Sequence, residues 1–214
     1  MYQRQTDMRQ QMVNRALSFA MSDPKGPVYL YGAREPMEED LTPYKLQMDY
    51  WQPVEPAALP PNGVKTIAEA LVHAQEPLIV TGYSGRNHDA VQELVRLADN
   101  VKGLRVLDTG GSDMCFPANH PAWLGLRYGN DPAIKSADVI LVLDCDVPWI
   151  NTQCHPKDSA KIFHVDVDPL KQQMPVFYLN ATKRYQADSY TSLTQLNAYL
   201  ESTLKEMLSS QLFS

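Results

Sequence analysis

Lys161-Ile-Phe-His-Val-Asp-Val-Asp-Pro169 decides how the rest of this chain is read. Apolar residues alternate with others as far as the acids Asp166 and Asp168, and Pro169, which cannot donate to a ladder, ends the pattern. This is the form of a buried strand with carboxylates at its carboxyl end. Nucleotides bind at that edge in doubly wound α/β sheets. A second run, Asp138-Val-Ile-Leu-Val-Leu-Asp144, comes before it and also ends in acids, with Asp146 two residues on. Two such strands predict a nucleotide-type sheet; alone they supply no catalytic chemistry.

Working outward, the pattern alternates. Val64 to Ala74 predicts a helix, Pro77-Leu-Ile-Val-Thr81 a strand and Gly82-Tyr83-Ser84-Gly85 a turn. Asp89 to Ala98 predicts a helix with Val91, Leu94, Val95 and Ala98 inward, and Leu104 to Leu107 a strand followed by Gly110-Gly111. A short helix follows at Asp131–Ser136, and a last one from about Ser192 to Leu208 aligns Leu193, Leu196, Leu200 and Leu204. Strands alternating with helices imply right-handed crossovers. The expected fold is α/β: a doubly wound, Rossmann-like parallel sheet of about six strands with helices on both faces.

Upstream, residues 5–21 predict a helix with Met8, Met12, Val13, Ala16, Leu17 and Ala20 on one face. A turn at Ser22–Pro27 and a short strand at Val28–Tyr31 follow, a helix–strand remnant too small to bury its own face. Residues 36–62 carry Pro36, Pro43, Pro53, Pro56, Pro60 and Pro61 with the acids Glu38, Glu39 and Asp40, and read as an inter-domain linker pinned by Tyr50 and Trp51. The expected division is 1–35, linker 36–62, main domain 63–190, and a terminal helix and connection over 191–214.

Bulk properties narrow the classes. A chain of 214 residues with 44% hydrophobic content can bury a core. Its net charge is −6 and no block of Lys or Arg stands out, which argues against binding along a nucleic-acid backbone. No apolar run nears the roughly 20 residues that span a bilayer, and the polar start is unlike a secretory signal. Cys115, Cys145 and Cys154 are irregularly spaced and read as free thiols, the usual state in the cytoplasm. The alternative, a metal site using Cys145, Cys154 and His155, has no C-x-x-C pair behind it.

Several groups carry chemistry on paper. Gly82, Tyr83, Ser84 and Gly85 lead into a helix, whose first N–H groups and dipole favour phosphate, though the G-x-G-x-x-G fingerprint is absent; the other reading is a plain glycine turn. Gly110 and Gly111, within Thr109-Gly-Gly-Ser112, either let a ligand approach the backbone or simply turn the chain. Asp144, Asp146, Asp166 and Asp168 sit at two strand ends, where one acid can bind ribose hydroxyls and the others cap or face water, while paired carboxylates also suit general acid/base work or a cation. No histidine or nucleophile has a telling spacing to them, so no catalytic residue and no metal ligand is assigned. His120 and His155 lie in Pro-containing loops, as catalytic or as hydrogen-bonded groups. Trp123, Tyr128 and Trp149 stack either on a cofactor ring or in the core.

An ordered series of segments completes the reading: Pro77-Leu-Ile-Val80, Phe116-Pro-Ala-Asn-His-Pro121, Leu124-Gly-Leu-Arg-Tyr-Gly129, Ala137-Asp-Val-Ile-Leu-Val-Leu143 and Lys161-Ile-Phe-His-Val-Asp-Val-Asp168. It resembles the central domain of thiamine-diphosphate enzymes, nearest to the acetolactate synthase group. Arg15-Ala-Leu17 and Gly26-Pro-Val-Tyr-Leu30 are similar to the last helix and strand of that family's pyrimidine-binding domain. The resemblance implies a piece of a longer decarboxylase or carboligase acting on 2-oxo acids. Thiamine diphosphate and magnesium would be held by other domains, since no GDG motif occurs here. It further implies a homo-oligomeric parent, and a central domain that binds FAD, ADP or nothing. The ligand would cross the strand ends near Gly82, Gly110, Asp144 and Asp166. Flavin-binding relatives carry Gly-x-Arg where this chain has Asp144-Cys-Asp-Val-Pro-Trp149, and two extra carboxylates there would repel a diphosphate. Two other classes stay open: an independent nucleotide-binding module and an interaction domain.

Overall fold

A strand buried on both faces has no polar side to show, so it reads as an unbroken apolar run. β1 (Pro77–Thr81) and β4 (Val139–Leu143) are buried at every residue. The computed structural model describes residues 2–38, 40, 43–111, 113–172, 174 and 179–212. Glu39 and Ser112, and the side chains of Met8 and Leu204, fall outside the described residues. Among these, β1, β2 (Arg105–Asp108), β3 (Trp123–Leu126), β4, β5 (Lys161–Asp166) and β6 (Lys183–Gln186) form one sheet in the order β3-β2-β1-β4-β5-β6. Every neighbouring pair is parallel. The register sets Thr81 beside Asp108 and Leu143, and Leu143 beside Val165, so the carboxyl ends of the four central strands finish together.

The chain divides into two compact units, Met1–Pro56 and Ala57–Ser214. The first holds α1 (Tyr2–Met21), α2 (Arg34–Glu38) and a 3-10 turn at Met48–Tyr50. Here the sequence reading needs correction. Val28–Tyr31 forms no strand among the described residues; it lacks a neighbouring strand to bond, and Tyr29 and Tyr31 stand more than four-fifths exposed. Tyr50 pins nothing, being 85% exposed, whereas Trp51 is half-buried. On α1, Met12 is exposed, and Asn14 and Ala16 are buried.

The second unit holds the sheet, α3 (Pro61–His73), α4 (His88–Asn100), α5 (Pro132–Ser136) and α6 (Ser189–Leu212). α3 starts three residues before Val64 because Pro61 occupies its first turn, where a missing N–H costs nothing. Successive strand residues face opposite ways. Ile79, Val106, Leu141, Phe163 and Val165 enter one core with Ile67 and Leu71 of α3, Leu94 and Leu97 of α4, and Leu193 and Leu196 of α6. Leu78, Val80, Leu107, Ile140, Val142 and Ile162 enter a second core. That core is closed by Ala133 and Ile134 of α5 and by Trp149, Cys154 and Leu179 from irregular segments. The chain passes from β1 to β2 through α4 on the first face and from β4 to β5 through residues 144–160 on the second. A right-handed crossover changes face when the direction across the sheet reverses, which is the double winding.

The amide of Gln195 on α6 both accepts from Leu59 N and donates to Leu59 O, at 2.9 and 3.1 Å. Asp131 caps α5: its Oδ1 accepts from Ala133 N at 2.8 Å, and its Oδ2 lies 3.1 Å from Arg127 Nη1. Asp131→Ala is expected to cost about 1–2 kcal/mol in urea unfolding, with Asp131→Asn retaining most of the stability because it still caps. Equal midpoints for all three proteins would contradict the capping role.

Candidate functional site

In an open α/β sheet the ligand crevice lies outside the strand carboxyl ends where the winding reverses, here between β1 and β4. Gly82, Tyr83 and Ser84 follow β1, Gly110 and Gly111 follow β2, Asp144 and Asp146 follow β4, Asp166 ends β5 and Asp168 follows it. These loops are bonded to one another. Tyr83 N donates to Asp144 O, Asp144 N to Val165 O, and Thr109 N to Thr81 O, each at 2.9 Å. A Cβ on Gly111 would collide with the carbonyl oxygen of Gly82, and one on Gly82 would stand 2.6 Å from Thr109 Oγ1. What these glycines admit is therefore the protein's own neighbouring loop, its backbone at Gly111 and a side chain at Gly82. Gly110 takes φ +77, and its N–H donates to Asp108 Oδ1 at 2.9 Å, while Asp108 Oδ2 accepts from Cys115 N at 3.3 Å. Buried Ser84 closes the first loop, its Oγ 2.7 Å from Thr81 Oγ1.

The acids surround a residue that the sequence pattern does not single out. Lys171 is buried, and its Nζ donates to Asp166 Oδ2 and to Asp146 Oδ1, both at 2.7 Å. It is turned inward by a backbone at φ +47, with Lys171 N donating to Asp168 O and Met174 N to Lys171 O. Burial opposes the ammonium, but Asp166 and the two hydrogen bonds outweigh it and raise the Lys171 pKa. Asp166 shows the mirror effect. Burial disfavours its charge, yet the His164 ring, with Nε2 3.6 Å from Oδ2, the nearby Lys171 and the hydrogen bond from Asp168 N hold its carboxyl below the usual range. Among the described residues Asp144 has no such donor set. Burial first, and then the charge of Asp166, push it up to about 6, against the attraction of Arg86 and Lys171. Its backbone too is left-handed, at φ +46. The guanidinium of Arg86 lies over the Tyr83 ring, 4.2 Å from its centroid. Burial and then Asp146 raise the Tyr83 hydroxyl.

Asp168 stands apart from this cluster and organises the following turn, accepting from Gln172 N at 3.1 Å. His120 is a structural group: its Nδ1 accepts from Ala122 N at 3.1 Å, and its Nε2 lies 3.1 Å from Asp99 Oδ1. Trp123 packs with Phe116, and Trp149 joins the second core, so neither ring is presented at the strand ends. The three cysteines are free and buried, and burial pushes the Cys145 thiol up to about 12, which favours its protonated form over the nucleophilic thiolate. Among the described residues no group of three or more His, Cys, Asp or Glu is arranged to hold a metal ion.

Known proteins resemble the chain in the same region. The family model for the thiamine pyrophosphate enzyme central domain matches residues 64–188. A probable acetolactate synthase large subunit from Methanocaldococcus jannaschii is 30% identical over 122 residues, covering 51% of this chain and 20% of the relative. A sulfoacetaldehyde acetyltransferase from Castellaniella defragrans is 34% identical over 121 residues, covering 50% and 20%. The chain thus spans about a fifth of the length of these curated relatives. The crystal structure of benzoylformate decarboxylase from Polynucleobacter necessarius superposes with a TM-score of 0.68 at 22% identity, over 87% of this chain and 35% of that one, which shows a shared fold. With more than half of its residues matching one family and its sheet wound in that fold, the chain belongs to the thiamine pyrophosphate enzyme central-domain family.

Proposed function

We propose that this chain is the non-catalytic, scaffolding central domain of a thiamine-diphosphate-dependent decarboxylase or carboligase acting on 2-oxo acids, resembling acetolactate synthase. Residues 63–190 would be that domain, 1–35 the end of a pyrimidine-binding domain, 36–62 the linker, and 191–214 the helix leading onward. The parent would be a homo-oligomer whose other domains carry thiamine diphosphate and magnesium. Thiamine supplies the electron sink of such chemistry when bound. The residues present do not fit that group: of the strand-end acids Asp146 and Asp166 are engaged by Lys171, and no donor cluster for magnesium exists among the described residues.

One observation carries the scaffolding reading. The features that would cradle a nucleotide diphosphate are spent inside the fold. The two glycine loops fill each other, the Tyr83 amide is bonded to Asp144 O, and the Lys171 charge is shared by two carboxylates. The test is pyruvate decarboxylation by the purified chain with thiamine diphosphate and magnesium. The expected rate is that of the protein-free blank, and turnover above it would refute the reading.

A further inference from the structure

The second face of the sheet is closed by short and irregular segments, and it leaves a cavity of about 530 Å³ beside the starts of β5 and β6. That volume is within the roughly 300–1,000 Å³ typical of small-molecule sites. Trp149 and Ile162 give it an apolar wall. Its ionisable lining is His155, Lys157 and Arg184 against a single carboxylate, Asp158.

Neither strong cation is held in a salt bridge among the described residues. Lys157 Nζ donates to Ser136 O at 3.0 Å, and the Arg184 guanidinium donates to Leu179 O. Both acceptors are uncharged carbonyls, and neither cation has an ion pair among the described residues. Asp138, held by the N–H groups of Gln75 and Glu76 at 2.8 and 2.9 Å, attracts Lys157 without forming a salt bridge with it. His155 Nδ1 lies 3.0 Å from Pro156 O, and since a carbonyl only accepts, Nδ1 carries the hydrogen. Here the molecule differs from its strand ends, where Lys171 is bonded to two acids.

We propose that this cavity, framed by the 149–158 loop and the starts of β5 and β6, binds a small organic phosphate. A guanidinium fork and an ammonium together favour a doubly charged oxyanion. The apolar wall and the volume leave room for an organic part that inorganic phosphate lacks. The site is separate from the strand ends and does not depend on the scaffolding reading above.

Calorimetric titration of the full chain with AMP and with inorganic phosphate, at low salt, tests it. AMP is expected to saturate at one per chain with a Kd below about 1 mM, and inorganic phosphate to bind more weakly. Lys157→Gln and Arg184→Gln should each weaken AMP about tenfold or more, the size of a lost charge-assisted hydrogen bond. AMP should also change the tryptophan emission in the wild type and not in Trp149→Phe. Lys157→Gln alters an exposed side chain, so it carries the test should Arg184→Gln fail to fold. Absence of saturation would overturn the proposal. So would equal affinity for AMP and inorganic phosphate, or AMP binding that survives Lys157→Gln and weakens only in Asp166→Asn.

Discussion

Lys171→Met is expected to lower the unfolding free energy at neutral pH by about 3–5 kcal/mol, the usual cost of leaving one partner of a buried ion pair uncompensated. The methionine keeps the length of the stem and removes only the charge and its donors. Asp166 is fully buried and loses a 2.7 Å bond, while Asp146 is 39% exposed and can turn to water, so most of the loss falls on Asp166. The pH dependence follows from the depressed Asp166 pKa. Stability from its ionisation is present above the unfolded carboxylate value of about 3.9 and is lost as the pH falls through its lower folded value. The deficit of Lys171→Met should therefore be full at neutral pH and shrink in acid. Urea unfolding at both pH values checks it, and a neutral-pH deficit under about 1 kcal/mol would mean that Lys171 is not the counter-ion of the cluster.

Asp144→Asn is expected to do the opposite and stabilise the protein at neutral pH by about 1–3 kcal/mol. The Asp144 carboxyl titrates near 6 in the folded chain because burial and Asp166 disfavour its charge. A raised folded pKa means that the folded state binds the extra proton between about 4 and 6, so this group's contribution falls as the pH rises through that window. Asparagine cannot ionise, and it tolerates the left-handed backbone at this position. The gain should vanish near pH 4, where the aspartate is protonated. Destabilisation at neutral pH would show that the charge of Asp144 is used, as for holding a ligand.

The central strands were legible because a strand covered on both faces must be largely apolar: 139–143 is so throughout, 77–81 up to Thr81, and 161–166 places Ile162, Phe163 and Val165 between its polar residues. The edge strands were not: Lys183-Arg-Tyr-Gln186 is polar and mostly exposed, and Trp123–Leu126 is short, only partly buried and interrupted by Gly125 at φ +120. Val28–Tyr31 shows the converse, since β-prone residues make a strand only beside another strand. Gly82 and Gly111 read equally well as a ligand cradle or a turn because a glycine records that something approaches, not whether that is a ligand or a neighbouring loop. Lys171 left no periodic signal, lying in a turn five residues after Asp166. It alters the reading of the acids most, because Asp146 and Asp166 do not face a ligand's phosphates as bare charges but share a resident cation.

The most direct test of a strand-end crevice closed by the chain's own groups is calorimetric titration with FAD and, separately, ADP. It is best done on Lys157→Gln/Arg184→Gln, in which the second cavity is silenced. The account predicts no saturable heat from either ligand with a folded sample. Saturable binding that weakens when Asp166 is replaced by asparagine would contradict it and place a working nucleotide site between β1 and β4.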